Sequence, residues 1–178
     1  VPVACAAHGK EVFVFDIAKD KLNPEEPGAA PEEVEEVRRD QVLVLDKDSG
    51  KPLRRIGRHG SDHEGFAFAG FITVDRLGNL YISDFLNHRV VKMDSQGNVL
   101  AAFGRHGDRA GDFAQMKGVA VDSLGFIYVV DAAFQIVQAF DNAGAPLFVL
   151  GGPRAPQGPM NLPAGIWMRA LVIDRPDA

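Results

Sequence analysis

Leu77-Gly-Asn-Leu-Tyr-Ile-Ser-Asp84 and Leu124-Gly-Phe-Ile-Tyr-Val-Val-Asp131 carry one pattern at two places 47 residues apart (124 − 77). The same shift relates Ile72-Thr-Val-Asp75 to Val119-Ala-Val-Asp122 upstream, and Val90-Val-Lys-Met-Asp94 to Val137-Gln-Ala-Phe-Asp141 downstream. Further out, Arg58-His-Gly60 recurs as Arg105-His-Gly107, and Leu53 and Gly57 recur as Leu100 and Gly104. Leu162-Pro-Ala-Gly-Ile166 falls on Gln115-Met-Lys-Gly-Val119, where another unit should begin. A fixed period of roughly 20 to 50 residues marks a repeat architecture, in which one supersecondary unit stacks on copies of itself.

Within one unit, Phe71 to Asp75, Asn79 to Ser83, Arg89 to Met93 and Val99 to Phe103 are strand-sized and rich in β-branched or aromatic residues. Asp75-Arg-Leu-Gly78 and Asp94-Ser-Gln-Gly97 separate them as tight turns, with Gly where a positive φ is needed, so consecutive strands are antiparallel neighbours. A four-stranded antiparallel unit at this period predicts an all-β chain of β-propeller blades. Twelve Phe against two Tyr and one Trp suit stacked sheet interiors. Two complete blades are expected at about 66–104 and 113–151, within the clearest repeats 66–112 and 113–159, with most of an earlier blade before them and the start of another after. The 178 residues hold about 3.8 periods (178/47), so residues 1–178 read as a single partial domain whose ring does not close.

Composition narrows the function classes. Lys plus Arg is 19 and Asp plus Glu is 24, a formal net charge of −5, which argues against phosphate-backbone binding. No apolar run approaches the roughly 18 residues of a membrane span. The single cysteine, Cys5, makes no intrachain disulfide and no Cys-x-x-Cys metal site. Val1-Pro-Val-Ala-Cys-Ala-Ala7 has no initiator Met and no cationic leader region. A missing upstream portion is expected from this, either a processed leader or a fragment boundary.

Val12-Phe-Val-Phe-Asp16 reads as the second strand of the first blade, and the third is expected near Val42. The surplus between them, residues 17–40, has eight acids and four cations, a net of −4. Within this acidic insertion, Pro31-Glu-Glu-Val-Glu-Glu-Val-Arg-Arg39 orders Pro, acids and bases as a helix dipole prefers and predicts a short surface helix. Loops between second and third strands share one rim with the connections between blades. On that rim fall Phe85-Leu-Asn-His88 and Ala132-Ala-Phe-Gln135, where Phe85, Leu86 and Phe134 are apolar in loop positions and suit anchors for a protein partner. His59, His63 and His106 read as solvated loop histidines: His59 and His106 occupy equivalent positions on successive blades, and one metal does not readily reach both.

At these residues the chain resembles the NHL-repeat family of β-propellers, through Gly118-Val-Ala-Val-Asp122, Gly125-Phe-Ile-Tyr-Val-Val-Asp131 and Asn87-His-Arg-Val-Val-Lys-Met93. The resemblance covers about residues 41 to 168. It departs where Phe134-Gln-Ile136 replaces Asn-His-Arg, so the Asp84 and Arg89 pair, similar to the family's blade-bracing ion pair, is not repeated at Asp131. The family's usual six or so blades imply a fragment, or closure by self-association or a second polypeptide. Peptide-amidating lyases of similar fold place zinc-binding His where this chain has Gly70, Lys117 and Ala164, so no catalytic residue, metal ligand or cofactor is expected here. The calcium set of propeller lactonases does not stand out either. RNA-binding members use an electropositive rim, whereas this rim carries the acidic insertion. The resulting expectation is a non-catalytic scaffold for a protein partner, contacted through Phe85, Leu86, Asn87, His88, Phe134 and Lys117. The resemblance alone favours a periplasmic or extracellular location. The alternative is a metal-dependent lyase or hydrolase with its ligands in further blades.

Overall fold

The computed structural model describes residues 2–21, 36–63 and 65–152. Fourteen strands and no helix occur among them. The first four are β1 (Pro2–His8), β2 (Glu11–Lys21), β3 (Glu36–Asp46) and β4 (Pro52–Ile56), paired in that order as an antiparallel sheet. Two-residue strands β5 (Arg58–His59) and β6 (Gly65–Phe66) pair in parallel inside the connection to the next blade. The second sheet holds β7 (Ala69–Val74), β8 (Leu80–Asp84), β9 (Arg89–Met93) and β10 (Val99–Phe103). The third holds β11 (Met116–Val121), β12 (Ile127–Asp131), β13 (Ile136–Phe140) and β14 (Pro146–Gly151). These are three four-stranded antiparallel meanders, the blades of a propeller-like β fold whose ring is not closed. No described helix is long and apolar enough to cross a membrane.

Strand alternation builds the cores between blades. On β8, Leu80 and Ile82 point toward the first sheet, where they meet Phe13, Phe15, Val42 and Val44. Tyr81, between them in sequence, points the other way and packs with Phe113, Ile127, Val129 and Phe140 of the third blade. A one-residue slip would exchange the two sets, so these interfaces fix the register. Five of the twelve Phe (Phe13, Phe15, Phe66, Phe113 and Phe140) are buried to within 1% exposure, each contributing about 1.5–3 kcal/mol of burial. Innermost strands β1, β7 and β11 touch in succession, which places them toward the axis.

The turns of the opposite rim follow from aspartate chemistry. Asp75 Oδ1 accepts the Leu77 and Asn79 N–H groups at 2.9 and 2.8 Å, and Gly78 supplies φ +86°. Asp94, Asp122 and Asp141 repeat this arrangement. Tyr81 Oη donates to Asp75 Oδ2 and Tyr128 Oη to Asp122 Oδ2, both at 3.0 Å. Burial, then the Asp75 charge, pushes the Tyr81 phenol far above its ordinary range; Tyr128 is raised by burial and its bond to Asp122. Because the folded state holds these protons more tightly, stability falls as pH climbs above about 10. In an alkaline absorbance titration Tyr128 should ionise first and Tyr81 only as the protein unfolds. Simultaneous ionisation of both in the folded chain would contradict the packing.

The same rim has a clamp between blades that is made twice with different side chains. Arg54 of β4 holds Glu11 in two bonds of 2.5 and 2.9 Å and donates to the Ser95 carbonyl, 2.6 Å away on the second blade. Lys92 of β9 donates to Asn142 Oδ1 at 2.5 Å and reaches the Asn142 carbonyl at 3.5 Å on the third. Ser95 and Asn142 are themselves 47 positions apart. The hydrogen bond from Arg54 holds the Glu11 carboxyl below its ordinary range. Its contribution is therefore present above the unfolded-state value and disappears as pH falls through the depressed one. Because both side chains are partly exposed, Glu11→Gln should cost only about 0.5–1 kcal/mol at neutral pH. Urea unfolding at pH 7 and pH 3 should show a smaller pH difference for this variant than for the parent.

The first blade departs from expectation. It is complete, with four strands, and β3 begins at Glu36 rather than near Val42. The expected helix over Pro31–Arg39 lies partly outside the described residues, but 36–39 are strand, paired in unbroken register from Ile17↔Asp40 to Lys21↔Glu36. Cross-strand pairing overrides the local helix pattern there. Asp16 corresponds to Asp84, the last residue of β8, so the five residues beyond it carry the hairpin roughly 17 Å past the neighbouring strand ends at ~3.4 Å per residue.

Candidate functional site

The meander order puts the loop after β8, the loop after β12, the hairpin extension and both blade connections on one rim. Its foundation is a repeated aspartate brace. Asp84 is fully buried and accepts the Ala67 N–H at 2.8 Å, Asn87 Nδ2 at 2.7 Å and Arg89 Nε at 3.1 Å. Arg89 continues to the carbonyls of Asp62 and Gly65, both at 2.7 Å. Asp131, one period on and equally buried, accepts the Ala114 N–H at 2.7 Å and further N–H groups from Gln115, Ala133 and Phe134. Ala67 and Ala114 are also 47 apart. The repeated partner of this aspartate is therefore the backbone of the incoming connection, and the arginine is an addition made once. These aspartates thus do more than terminate a turn. Burial raises the Asp84 carboxyl above its ordinary range against its three donors, so ionising it in the fold opposes stability as pH rises through that window.

On this foundation sits a row of rings. Phe68 and Phe85 stand 6.4 Å apart edge-on, Phe85 and His88 6.4 Å apart, and His88 and His106 4.6 Å apart. Lys117 Nζ lies 5.4 Å from the Phe85 ring centroid, within cation–π range. Phe68 and Leu86 are 40% and 54% exposed at the surface of this row. Backbone bonds from Phe85 N to Phe68 O and from Leu86 N to Ala67 O tie the loop to the connection beneath it. Phe68 (φ 62°) and His88 (φ 51°) are left-handed, a conformation uncommon for bulky residues and held only where surroundings impose it. His88 shares it with Gln135 (φ 57°), its repeat equivalent; Gln115, the equivalent of Phe68, does not have it.

Of the residues singled out from sequence, Phe85, Leu86, His88 and Lys117 are brought together. Asn87 faces inward as a brace, donating to Asp84 and to the Gly60 carbonyl. Phe134 is half-buried on the next loop and makes none of these ring contacts among the described residues. Phe68 and His106 were missed. Phe68 has no repeat equivalent of its own type, and His106 meets His88 only because the second connection folds back.

Two of the three histidines read as solvated loop residues, His59 and His106, make specific contacts, while His63 is exposed. His59 Nδ1 lies 2.8 Å from Asp40 Oδ2 at the base of the projecting hairpin, and the Phe68 N–H donates to the same oxygen at 3.1 Å. His106 and His88 occupy the corresponding places one blade later, with an imidazole where Asp40 stands. His88 Nδ1 is buried with no hydrogen-bond partner. No three His, Cys, Asp or Glu side chains gather as metal ligands among the described residues.

No family model and no curated protein matches the chain. Among solved structures it is similar to a structural-genomics protein of unknown function from Bacteroides thetaiotaomicron, with a TM-score of 0.57 and 16% identity over 84% of this chain. That likeness concerns the fold, and the chain spans about a third (35%) of that protein's length.

Proposed function

We propose that the chain is part of an NHL-type propeller acting as a non-catalytic protein-interaction scaffold, with the Phe68–Phe85–Leu86 rim as its contact surface. The observation that carries this reading is the row of Phe68, Phe85, His88 and His106, which leaves apolar side chains exposed on loops whose backbone is fixed from below. Rigid presentation lowers the ordering cost of binding, and aromatic anchors dominate interface energetics. The 47-residue repeat with its Gly-x-Ile-Tyr-Val-x-Asp motif supports the family reading, and family resemblance supports an extracytoplasmic location. The test is partner capture from the source cell extract by the chain and by two variants. Leu86→Asp on the contact rim should abolish capture. Leu77→Asp, at an 86% exposed position on the opposite rim, should leave it intact. Equal capture by all three would remove this rim from the account.

A second reading concerns the open ring. Val12, Val14, Leu43 and Leu45 of the first sheet face away from its core and are only half-buried, and Leu147 to Leu150 of β14 are 40–50% exposed. Further blades, from this polypeptide or another copy, would cover them. A solution mass at a multiple of 19.2 kDa supports completion by self-association, and a monomer at high concentration opposes it. The metal-dependent lyase or hydrolase alternative depends on ligands outside the described residues.

A further inference from the structure

We propose that β14 is a self-pairing edge, through which two copies of this chain join antiparallel about a twofold axis. This contact needs neither the rim partner nor a closed ring. With β1, β7 and β11 toward the axis, the fourth strand of each meander lies at the perimeter, and β14 ends the order β11-β12-β13-β14. Among the described residues no strand pairs with its outer edge. A further blade would stack on a face of this sheet and leave that row of N–H and C=O groups open. Such an edge is a template for an added strand unless charge, proline or a bulge blocks it.

The three perimeter strands differ in how they are protected. A bulge interrupts each at the same place, Leu53 in β4, Leu100 in β10 and Leu147 in β14. Beyond it β4 continues with Arg54 and Arg55, β10 with Ala101 and Ala102, and β14 with Phe148 and Val149. From Phe148 to Gly151 β14 runs in unbroken register on β13, and no charged residue lies between Asp141 and Arg154. Leu147, Phe148, Val149 and Leu150 are 47%, 50%, 48% and 40% exposed. The open ring accounts for part of this. Phe148 and Leu150 share a face with Ala139 and Val137, turned away from the second blade, whereas Val149 pairs with Gln138 on the face toward it. Leu100, the equivalent of Leu147, is 52% exposed although blades stand on both sides of its sheet. A second copy supplies what the edge lacks, another row of free backbone groups flanked by apolar side chains. A twofold axis perpendicular to the sheet brings together residues that point to the same face. Centred on Val149, it sets Val149 against its own copy and Phe148 beside Leu150 of the partner subunit. Such a contact is isologous and uses up the edge, so assembly stops at two chains.

Sedimentation velocity of the full 178-residue chain over a range of concentrations tests this. The mass should rise from one chain of 19.2 kDa to two and no further, with slower amide exchange over residues 147–151 as the dimer forms. Val149→Lys, at a position where β4 carries Arg55, should weaken the dimer about tenfold by setting like charges together. Leu45→Lys, on the open face of the first sheet where the second blade carries Lys92, should leave it unchanged. One chain at every concentration, growth beyond two chains, or a dimer indifferent to Val149→Lys would each overturn the edge contact. A dimer broken by Leu45→Lys would overturn it as well, in favour of blades stacked face to face to complete the ring. A circular-dichroism melt within a few degrees of the parent confirms that each variant is folded.

Discussion

Asp84→Ala should unfold the chain more easily by about 3–5 kcal/mol, because it removes one member of a buried charge pair and leaves the other in place. Arg89 is only 14% exposed and would keep its two carbonyl contacts without its carboxylate. The Ala67 N–H loses its acceptor as well, and the Asn87 amide keeps only the Gly60 carbonyl. Asp131→Ala provides an internal control. It orphans N–H groups of Ala114, Gln115, Ala133 and Phe134 but no cation, so about 2–3 kcal/mol is expected from unsatisfied neutral donors. Urea denaturation of both variants, with the Asp84→Ala, Arg89→Ala double variant completing a cycle, measures the difference. If Asp84→Ala were no more costly than Asp131→Ala, the arginine would contribute nothing to the brace.

The second large effect is expected in the phenylalanine that closes each blade connection. Phe113 is fully buried and packs 5.7 Å from Phe140 in the core between the second and third blades. Phe113→Ala should cost about 3–5 kcal/mol through lost burial and the cavity left behind. Its ring also explains Gly104, which sits at φ +98° with a would-be Cβ only 2.4 Å from Phe113 Cε2. One period earlier, Gly57 meets Phe66 Cε2 at 2.3 Å in the same way. Gly104→Val should therefore approach the cost of Phe113→Ala, combining left-handed strain with displacement of a buried ring. Thermal unfolding of the two single variants and their combination checks this. Because they share one site, the combination should be less costly than the sum.

How much of this was legible in the sequence depends on whether a feature repeats. The 47-residue shift places Ile72, Leu80, Val90 and their equivalents in strands whose observed limits differ from the sequence reading by two residues or fewer. The Asp-x-x-Gly turns are local chemistry and were read directly. The extension of β2 and β3 was not, because a run of acids behind Pro31 looks helical until its cross-strand partner is known. The clamps of Arg54 and Lys92 escaped for a different reason: their acceptors repeat, but the donors come from different strands and residue types. In the candidate site, Phe85 and Leu86 stood out as apolar residues on a loop that also carries His88, and Lys117 as a cation at the start of the next blade's first strand. Phe68 and His106 join them only through the path of the two blade connections, which no periodicity specifies.

The central claim, that a protein partner sits on the Phe68–Phe85–Leu86 rim, is tested most directly by placing a photo-crosslinking amino acid at position 86 and, separately, at position 124 on the opposite rim, and irradiating in the source cells. The account predicts a discrete adduct from position 86 that is lost when Phe68 is changed to Ser, and none from position 124. Adducts from 124 alone, or from neither position, would contradict it.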